Sequence, residues 1–411
     1  MHREDKREML TGNAAAAWGV RLADVDYIPT YPITPQTEII EKLVHWINNG
    51  EMDARFVTLE SEHSMITAAG AATVTGVRVF TATSSQGLLY GFEMLYTVAG
   101  WRAPLVMVNV SRGLSAPITL EPDHNDILSA RDTGFLQIHC ETCQEILDSV
   151  LIAYKLAEDE RVLLPVLINM DGFYLSFTRE PVEIPDKNEV RKFLPAYESR
   201  HAFFKASQPL SQGVAVLGGS VYTYFKYQMH LASMNGLSVY KETAREFGEL
   251  FGRFYGVVEE FMMDNAEYVL IMTNSFSTLG KAAIKKARAK GFRIGLLRIR
   301  MVRPFPETDI QEALRGRKAV AVLDQNISVG KGGILFSEIA GSMYNEKERP
   351  VLLSFIGGLG GKSISPEEFE FIFENMQRAD KTGETSNPYL LYTKEEWCGM
   401  DNLKNIAGRN T

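Results

Sequence analysis

Cysteine is scarce in this chain, with three residues among 411. Three thiols are too few for a disulfide framework, and they cannot supply the four ligands of an iron–sulfur cluster. Cys140 and Cys143 stand close together, but a zinc site needs a second pair of ligands, and none follows nearby. We interpret this pair as a strand end running into a helix, and we expect any iron–sulfur cluster to be bound by another chain.

Long apolar segments are also lacking. The most apolar region, residues 88–110, contains Glu93, Arg102 and Pro104, which would be costly inside a bilayer. The first ten residues are charged and have no apolar core, unlike a signal peptide. A formal net charge of −8 disfavours binding to nucleic acid or to an anionic membrane surface. We therefore expect a cytoplasmic protein.

Motifs for phosphate binding are incomplete. The segment 357–363 ends like a P-loop, but Ile356 stands where the first glycine belongs. A dinucleotide motif fails there as well, because Ser363 replaces its third glycine. The glycine-rich segment 329–333 lacks the required spacing. We expect both segments to form turns at strand ends.

Short apolar runs alternate with helical periodicities along most of the chain. This alternation predicts parallel sheets with helices on both faces, an α/β fold. The nearly continuous apolar run at 104–110 is typical of a strand buried on both faces. Four more strands are predicted near the carboxyl end, at 268–272, 293–299, 319–323 and 351–355.

The length suggests two or three domains. We predict a first α/β domain with a connecting region over 1–235, and a smaller doubly wound domain over 236–380. A charged helix at 241–264 would open the second domain. The polar tail, residues 381–411, is expected to be loose or to lie on a partner.

A rigid bend at residues 31–35, YPITP, shapes the first domain. Each proline fixes its own φ and disfavours a helical conformation for the residue before it. We therefore predict Thr34 at the N-cap and Pro35 at the first position of a helix over 36–47. The Thr34 hydroxyl would then lie at the edge where parallel sheets bind ligands. The alternative for Thr34 is an ordinary N-cap whose oxygen accepts a backbone N–H of the first helical turn.

The bend is followed by Ser61-Glu62, by the turn TSSQG at 83–87 and by Ser111-Arg112. Together these stretches resemble the alpha chain of the 2-oxoacid:ferredoxin oxidoreductases, of the pyruvate:ferredoxin oxidoreductase type. The resemblance implies a pyrimidine-type thiamine-enzyme domain with a parallel sheet. It also implies a second, smaller domain like the C-terminal domain of transketolase.

The resemblance implies roles for residues at one sheet edge. Glu62 would face the aminopyrimidine of thiamine diphosphate and favour its imino tautomer; Glu60, on the same face of an extended chain, competes for this role. Arg112 would bind the carboxylate of a 2-oxoacid through its planar fork, with Thr34 donating a further hydrogen bond. The alternative for Arg112 is a surface ion pair. Further cofactor contacts are expected from Pro32, Ile33, Ser85 and Gln86.

The resemblance also implies the reaction: oxidative decarboxylation of a 2-oxoacid to acyl-CoA and CO2, with electrons passing through [4Fe-4S] clusters to ferredoxin or NAD. Thiamine enzymes hold magnesium and diphosphate with a Gly-Asp-Gly motif, but Asp171-Gly172 lacks the first glycine. We therefore expect a beta subunit to bind the diphosphate and magnesium. Gamma and ferredoxin-like delta subunits would hold the clusters, with an NAD-reducing subunit as an open alternative. The active site would lie at a subunit interface.

The loop after Arg112 leaves the substrate open. Residues 115–118 look like pyruvate-type chains, whereas 119–122 depart from them, so an aryl 2-oxoacid such as phenylglyoxylate competes with pyruvate. Asp123, His124 and Asp126 are interpreted as caps and solvent contacts rather than metal ligands. Two alternatives stay open: a non-redox thiamine enzyme, and a non-catalytic scaffold that docks an electron carrier.

Overall fold

The computed structural model describes residues 6–199, 204, 206–385, 388–393, 395–396 and 398–400. Their contacts divide into two compact units. The first unit comprises residues up to 259 together with 273–275 and 299–306, and the second comprises 260–272, 276–298 and the residues from 307 onward.

Strands and helices alternate, as the sequence predicts. In chain order the strands are β1 (Lys6–Thr11), β2 (Tyr27–Thr30), β3 (Arg55–Thr58), β4 (Phe80–Thr83), β5 (Val106–Ser111), β6 (Leu136–His139), β7 (Val166–Asp171), β8 (Arg179–Ile184), β9 (Val258–Phe261), β10 (Tyr268–Met272), β11 (Ile294–Ile299), β12 (Met301–Arg303), β13 (Ala319–Asp324), β14 (Val351–Ile356) and β15 (Tyr389–Leu390). The helices are α1 (Gly12–Leu22), α2 (Thr37–Asn48), α3 (Glu62–Thr73), α4 (Gln86–Tyr90), α5 (Phe92–Gly100), α6 (Asn125–Ser129), α7 (Cys143–Glu158), α8 (Lys187–Phe193), α9 (Gly219–Phe251), α10 (Ser277–Ala289), α11 (Glu307–Leu314), α12 (Ile334–Met343) and α13 (Pro366–Thr382). None of these described helices is both long and apolar enough to cross a membrane.

The main sheet of the first unit has the strand order β12-β6-β7-β5-β4, in which only β12 is antiparallel to its neighbour. The parallel pair β2-β3 continues it, because Tyr27 forms a parallel bridge to Val79 and the Thr81 hydroxyl donates to the Pro29 carbonyl at 2.8 Å. All six residues of β5 are buried, as its apolar run predicts. The carboxyl ends of β2, β3, β4, β5 and β7 therefore share one edge.

Small residues set the packing beneath this sheet. Helix α1 lies so close to α7 that a Cβ built on Gly19 would be 2.7 Å from the Val150 Cβ and 2.9 Å from the Leu147 carbonyl oxygen. A side chain at this position would overpack the contact. The small-residue composition of α1 therefore permits its close approach to α7.

The second unit contains a sheet of order β15-β14-β13-β10-β11-β9. Its four central strands are the four predicted from the sequence, and they pair in parallel. Both glycine-rich segments form turns at strand ends, 329–333 after β13 and 357–361 after β14, as expected. The predicted α/β class is confirmed in both units.

Two predicted boundaries differ from the structure. The boundary at residue 236 falls inside α9, a helix of 33 residues that lies within the first unit. The first half of α9 exposes large apolar side chains, so it shows no amphipathic period, whereas the second half buries Gly236, Tyr240 and Phe247 at helical spacing. Regular structure also continues into the predicted tail, because α13 extends to Thr382 and β15 pairs with β14. Residues 386–387, 394, 397 and 401–411 of that tail lie outside the described residues.

Candidate active site

The bend after β2 differs from the prediction. Helix α2 starts later, with Gln36 at the N-cap and no side-chain capping bond. Gln36 closes an additional turn, because its N–H donates to the Ile33 carbonyl and its Nε2 donates to the Tyr31 carbonyl, both at 3.0 Å. The prediction that Thr34 caps a helix beginning at Pro35 is therefore wrong. Thr34 is exposed ahead of a cis peptide bond to Pro35, and its hydroxyl does not cap the helix.

Arg112, directly after β5, reaches this bend. Its Nη1 donates to the Thr34 carbonyl at 2.6 Å and its Nη2 donates to Gln86 Oε1. The residue is 7% exposed, and its Nε is buried without a partner among the described residues. Burial lowers the pKa of Arg112, partly offset by Asp126. Because its hydrogen-bond partners are neutral, the alternative of a surface ion pair is wrong.

The turn after β4 holds Ser85 and Gln86 beside Arg112. Ser85 has φ +47° and ψ −114°, a conformation that costs a residue with a side chain about 1–3 kcal/mol. Its hydroxyl donates to the Gly113 carbonyl at 3.1 Å, so it is engaged within the chain. Gln86 Nε2 is buried and has no described partner. Of Ser85 and Gln86, Gln86 thus keeps a side-chain polar atom without a partner among the described residues.

Glu62 is the first residue of α3, where Ser61 caps the helix by accepting the Ser64 N–H at 3.2 Å. Glu62 is 5% exposed, and a Cβ built on Gly87 would lie 2.5 Å from its Oε1. The carboxylate therefore packs directly on the turn that leads into α4. No hydrogen bond joins this carboxylate to another of the described residues. The Thr83 hydroxyl, also 2.5 Å from that Cβ position, is buried and unpartnered within the same part of the chain.

The competing acid, Glu60, has a different environment. It is exposed, and its carboxylate accepts a hydrogen bond from the Ser64 hydroxyl, which lowers the pKa of Glu60. A solvated carboxylate already bonded within its own helix turn is poorly suited to face a buried ring. The other two predicted contacts, Pro32 and Ile33, lie on the rim, exposed and half-buried respectively.

Four of the polar atoms that are buried without a described partner lie at this edge: Thr30 Oγ1, Thr83 Oγ1, Gln86 Nε2 and Arg112 Nε. Buried polar atoms in proteins are normally hydrogen-bonded, so each of these four atoms has hydrogen-bonding capacity that the described residues do not use. Beside these atoms lies the unpaired carboxylate of Glu62. A heteroaromatic ring with both donor and acceptor nitrogens matches this combination.

Sequence reasoning missed the acid beneath the edge, Asp126. It is fully buried, and burial, assisted by repulsion from Asp123, raises its pKa to about 6. His124 is also fully buried and pairs with Asp171 at 2.8 Å. Burial opposes a charged imidazole, but Asp171 prevails and the pKa of His124 is raised. The interpretation as solvent contacts is wrong for these two residues, whereas Asp123 does cap the N–H of Asn125 at 3.0 Å.

No group of three or more His, Cys, Asp or Glu side chains in the described part of the chain could hold a metal ion. Cys140 and Cys143 are buried between the end of β6 and the start of α7, as interpreted from the sequence. Burial raises the pKa of the Cys143 thiol well above its usual range, which makes a reactive thiolate unfavourable.

Comparison with known proteins covers both units. The family model "Pyruvate flavodoxin/ferredoxin oxidoreductase, thiamine diP-bdg" matches residues 18–244, and "Pyruvate:ferredoxin oxidoreductase core domain II" matches 266–369. Pyruvate synthase subunit PorA of Pyrococcus furiosus is 41% identical over 96% of this chain and 98% of its own length. PorA of Methanocaldococcus jannaschii is 43% identical over 91% and 95%. Ketoisovalerate oxidoreductase subunit VorA of Pyrococcus abyssi is 39% identical over 94% and 97%.

Among solved structures, the 2-oxoglutarate:ferredoxin oxidoreductase of Magnetococcus marinus superposes with a TM-score of 0.69 at 18% identity. The match covers 92% of this chain and 66% of that longer chain. A split-gene transketolase matches with a TM-score of 0.50 and 12% identity, over 91% of this chain and 98% of its own. Both likenesses concern the fold, and they agree with the α/β architecture predicted from the sequence.

Proposed function

Because this chain belongs to the alpha-subunit family of the pyruvate and 2-oxoacid:ferredoxin oxidoreductases, we propose that it supplies the pyrimidine-facing half of a thiamine diphosphate site. Enzymes of this family are multi-subunit complexes that use thiamine diphosphate, coenzyme A and iron–sulfur clusters. The complete enzyme would convert a 2-oxoacid to acyl-CoA and CO2, with electrons passing to ferredoxin or NAD.

The observation that carries this proposal is the buried carboxylate of Glu62, which has no hydrogen-bond partner among the described residues and lies beside the unpartnered hydroxyl of Thr83. Thiamine diphosphate, when bound, supplies the electron sink that lets a 2-oxoacid lose CO2. Glu62 would hold a proton at the ring nitrogen of the aminopyrimidine, and its burial excludes competing water. The free Nε2 of Gln86 would donate a hydrogen bond to the same ring.

Arg112 would orient the substrate. Its guanidinium carries a full charge and has neutral hydrogen-bond partners, the Thr34 carbonyl and the Gln86 amide. A substrate carboxylate would therefore form the charge-assisted pair that Arg112 lacks. The exposed Thr34 hydroxyl is available to donate to the adjacent oxygen of the substrate.

Other subunits would complete the site. We assign the diphosphate and magnesium to a beta subunit, and the [4Fe-4S] clusters to gamma and ferredoxin-like delta subunits; reduction of NAD would require a further subunit. One feature of the first unit supports assembly with partners, because residues 214–227 expose an unusual series of large apolar side chains. These are Val214, Leu217, Val221, Tyr222, Tyr224, Phe225 and Tyr227.

Pyruvate is the favoured substrate, because the PorA relatives are named pyruvate synthase subunits. The loop after Arg112 exposes two apolar side chains, Ile118 and Leu120, which are suited to contact the substrate's side chain. A larger group such as the phenyl ring of phenylglyoxylate is the alternative. The residues of this loop, rather than Arg112, would distinguish between them.

The test uses the assembled complex with its natural partner subunits. We expect turnover with pyruvate in a panel that also contains 2-oxoglutarate, branched and aryl 2-oxoacids, each with ferredoxin and with NAD as acceptor. Glu62→Gln should lower kcat by about 10²–10⁴-fold with assembly intact on size-exclusion chromatography. Glu60→Gln is the matched control, and it should retain activity because Glu60 is solvated. Retained turnover in Glu62→Gln would refute the role of Glu62, and a wild-type complex inactive on the whole panel would favour the scaffold alternative.

A further inference from the structure

One carboxylate connects the two loops that present Gln86 and Arg112. Asp126 Oδ2 accepts the backbone N–H of Ser85 at 3.1 Å and that of Arg112 at 3.3 Å. The same oxygen accepts Asn109 Nδ2 at 3.0 Å. Ser85 directly precedes Gln86, whose side chain accepts the hydrogen bond from Arg112. The loops after β4 and β5 are thus fastened together at the backbone and at the side chains.

The second carboxylate oxygen of Asp126 holds the Asp126 side chain in place. Oδ1 accepts the Ser111 hydroxyl at 2.9 Å and the Ile127 N–H at 2.7 Å. All five donors are neutral, and Asp126 is fully buried, so the charge is held by hydrogen bonds instead of a salt bridge. Such an arrangement is costly unless every bond is made. It stands beneath Ser85, whose left-handed conformation also persists only where its surroundings hold it.

We propose that Asp126 is a positioning residue of the active site. By accepting the backbone N–H groups of both Ser85 and Arg112, it fixes the separation of the two loops, so that Gln86 and Arg112 face cofactor and substrate in one geometry. Asp126 does not itself touch either ligand. This inference rests on the proposed function, because it assigns a purpose to the alignment of Gln86 with Arg112.

The proposal has a pH-dependent consequence. Protonation of Asp126 places a hydrogen on an oxygen that now accepts, which weakens the connection between the loops. The charged groups that face it are Asp123 and His124 from the segment before α6 and Arg112 from the end of β5, while Asp171 on β7 pairs with His124. Asp123 repels Asp126, so removing its charge should move the titration of Asp126 to lower pH.

The experiment compares Asp126→Ala and Asp126→Asn with the matched control Asp123→Asn, all in the assembled complex. Three quantities are measured: hydrogen exchange of the peptides containing Ser85 and Arg112, the Kd of thiamine diphosphate, and kcat and KM for pyruvate against pH. In Asp126→Ala we expect both peptides to exchange at least about tenfold faster and KM to rise about tenfold, with a smaller change in kcat. Asp123→Asn should leave both peptides protected.

Asp126→Asn keeps an oxygen for the three N–H donors and loses only the bonds made by Oδ1. We expect intermediate exchange and no loss of activity as pH falls through about 6, because the amide does not titrate. In Asp123→Asn the loss of activity at low pH should begin at a lower pH than in the wild type. Unchanged hydrogen exchange and unchanged KM in Asp126→Ala would overturn the proposal. If that variant fails to assemble, the proposal is overturned when Asp126→Asn loses activity at low pH in the same way as the wild type. A complex inactive on every 2-oxoacid would refute the proposed function, whereas the exchange data would still decide whether Asp126 holds the loops.

Discussion

The energetic cost of ionised Asp126 can be measured. Its pKa is raised from 3.8 to about 6 in the folded chain, chiefly by burial. Below the pKa of the unfolded chain, 3.8, the Asp126 carboxyl is protonated in both the folded and the unfolded state, and the stability gained from its raised pKa is fully present. This contribution is lost as the pH rises through the folded value. A shift of this size corresponds to about 3 kcal/mol, since one pKa unit equals about 1.36 kcal/mol.

Asparagine resembles the protonated acid at every pH. The free energy of unfolding of Asp126→Asn, relative to the wild type, should therefore increase by up to about 3 kcal/mol between about pH 4 and about pH 7. The loss of the bonds that Oδ1 accepts from Ser111 and Ile127 lowers the free energy of unfolding equally at both pH values. The assay is urea unfolding of the assembled complex. Unfolding is monitored through hydrogen exchange of the β5 amides, so that only the first unit is observed.

Asp171→Asn is the matched control, because the pKa of Asp171 is lowered in the folded chain whereas that of Asp126 is raised. Although burial alone would raise the pKa of Asp171, the pairing with His124 and the hydrogen bonds from Ser275 lower it. Its contribution is present above the unfolded pKa and is lost as the pH falls through the folded value. Asp171→Asn should therefore become relatively less stable as the pH rises through the acidic range below the unfolded pKa of 3.8, which is a different window from the one in which Asp126 titrates. If Asp126→Asn behaves in the same way, or shows no dependence on pH, our description of Asp126 as a costly buried carboxylate is refuted.

Two further substitutions test the edge itself. Arg112→Lys replaces a planar fork with a single ammonium group, and it should lower kcat/KM for pyruvate about 10- to 100-fold with smaller effects on assembly, measured by steady-state kinetics of the complex. Gly87→Ala places a methyl group 2.5 Å from Glu62 Oε1, so the carboxylate must move; thiamine diphosphate binding, measured by calorimetry, should weaken about tenfold. Gly100→Ala is the control for added volume, because a Cβ built there lies more than 4 Å from every described atom outside its chain neighbours and the backbone of its own helix. Wild-type kcat/KM in Arg112→Lys, or wild-type affinity in Gly87→Ala, would contradict the respective role.

Sequence reasoning succeeded where a pattern is local. The strands of both sheets are short runs of apolar residues, and a run buried on both faces can be recognised without knowing its neighbours, as for β5 and β10. Helix α9 was missed in part because its first half exposes the aromatic residues that a periodicity argument places in a core. A helix whose apolar face is suited to a partner does not show the pattern of a helix in a single folded chain.

The residues of the proposed site could be placed at one edge for a topological reason. The carboxyl ends of parallel strands meet at one edge, so Thr34, Glu62 and Arg112 had to come close together once a parallel sheet was predicted. The side-chain network could not be predicted in this way. Asp126 lies 14 residues from Arg112 and 41 from Ser85, and its neighbours Asp123 and Asn125 look like an ordinary polar loop. Only the folded structure shows which of these acids is buried.

The charges at this edge explain why one chain would be insufficient for the proposed chemistry. Thiamine diphosphate brings two phosphates, and a 2-oxoacid brings a carboxylate, so a complete site must compensate several negative charges. Arg112 can compensate one of them, and its position beside Thr34 and Gln86 suits the substrate. Glu62 adds a further carboxyl group where the aminopyrimidine would lie, which disfavours phosphate there. The cations for the diphosphate would therefore have to come from the beta subunit, and the burial of Glu62 against Gly87 would keep the two parts of the proposed cofactor in different electrostatic environments.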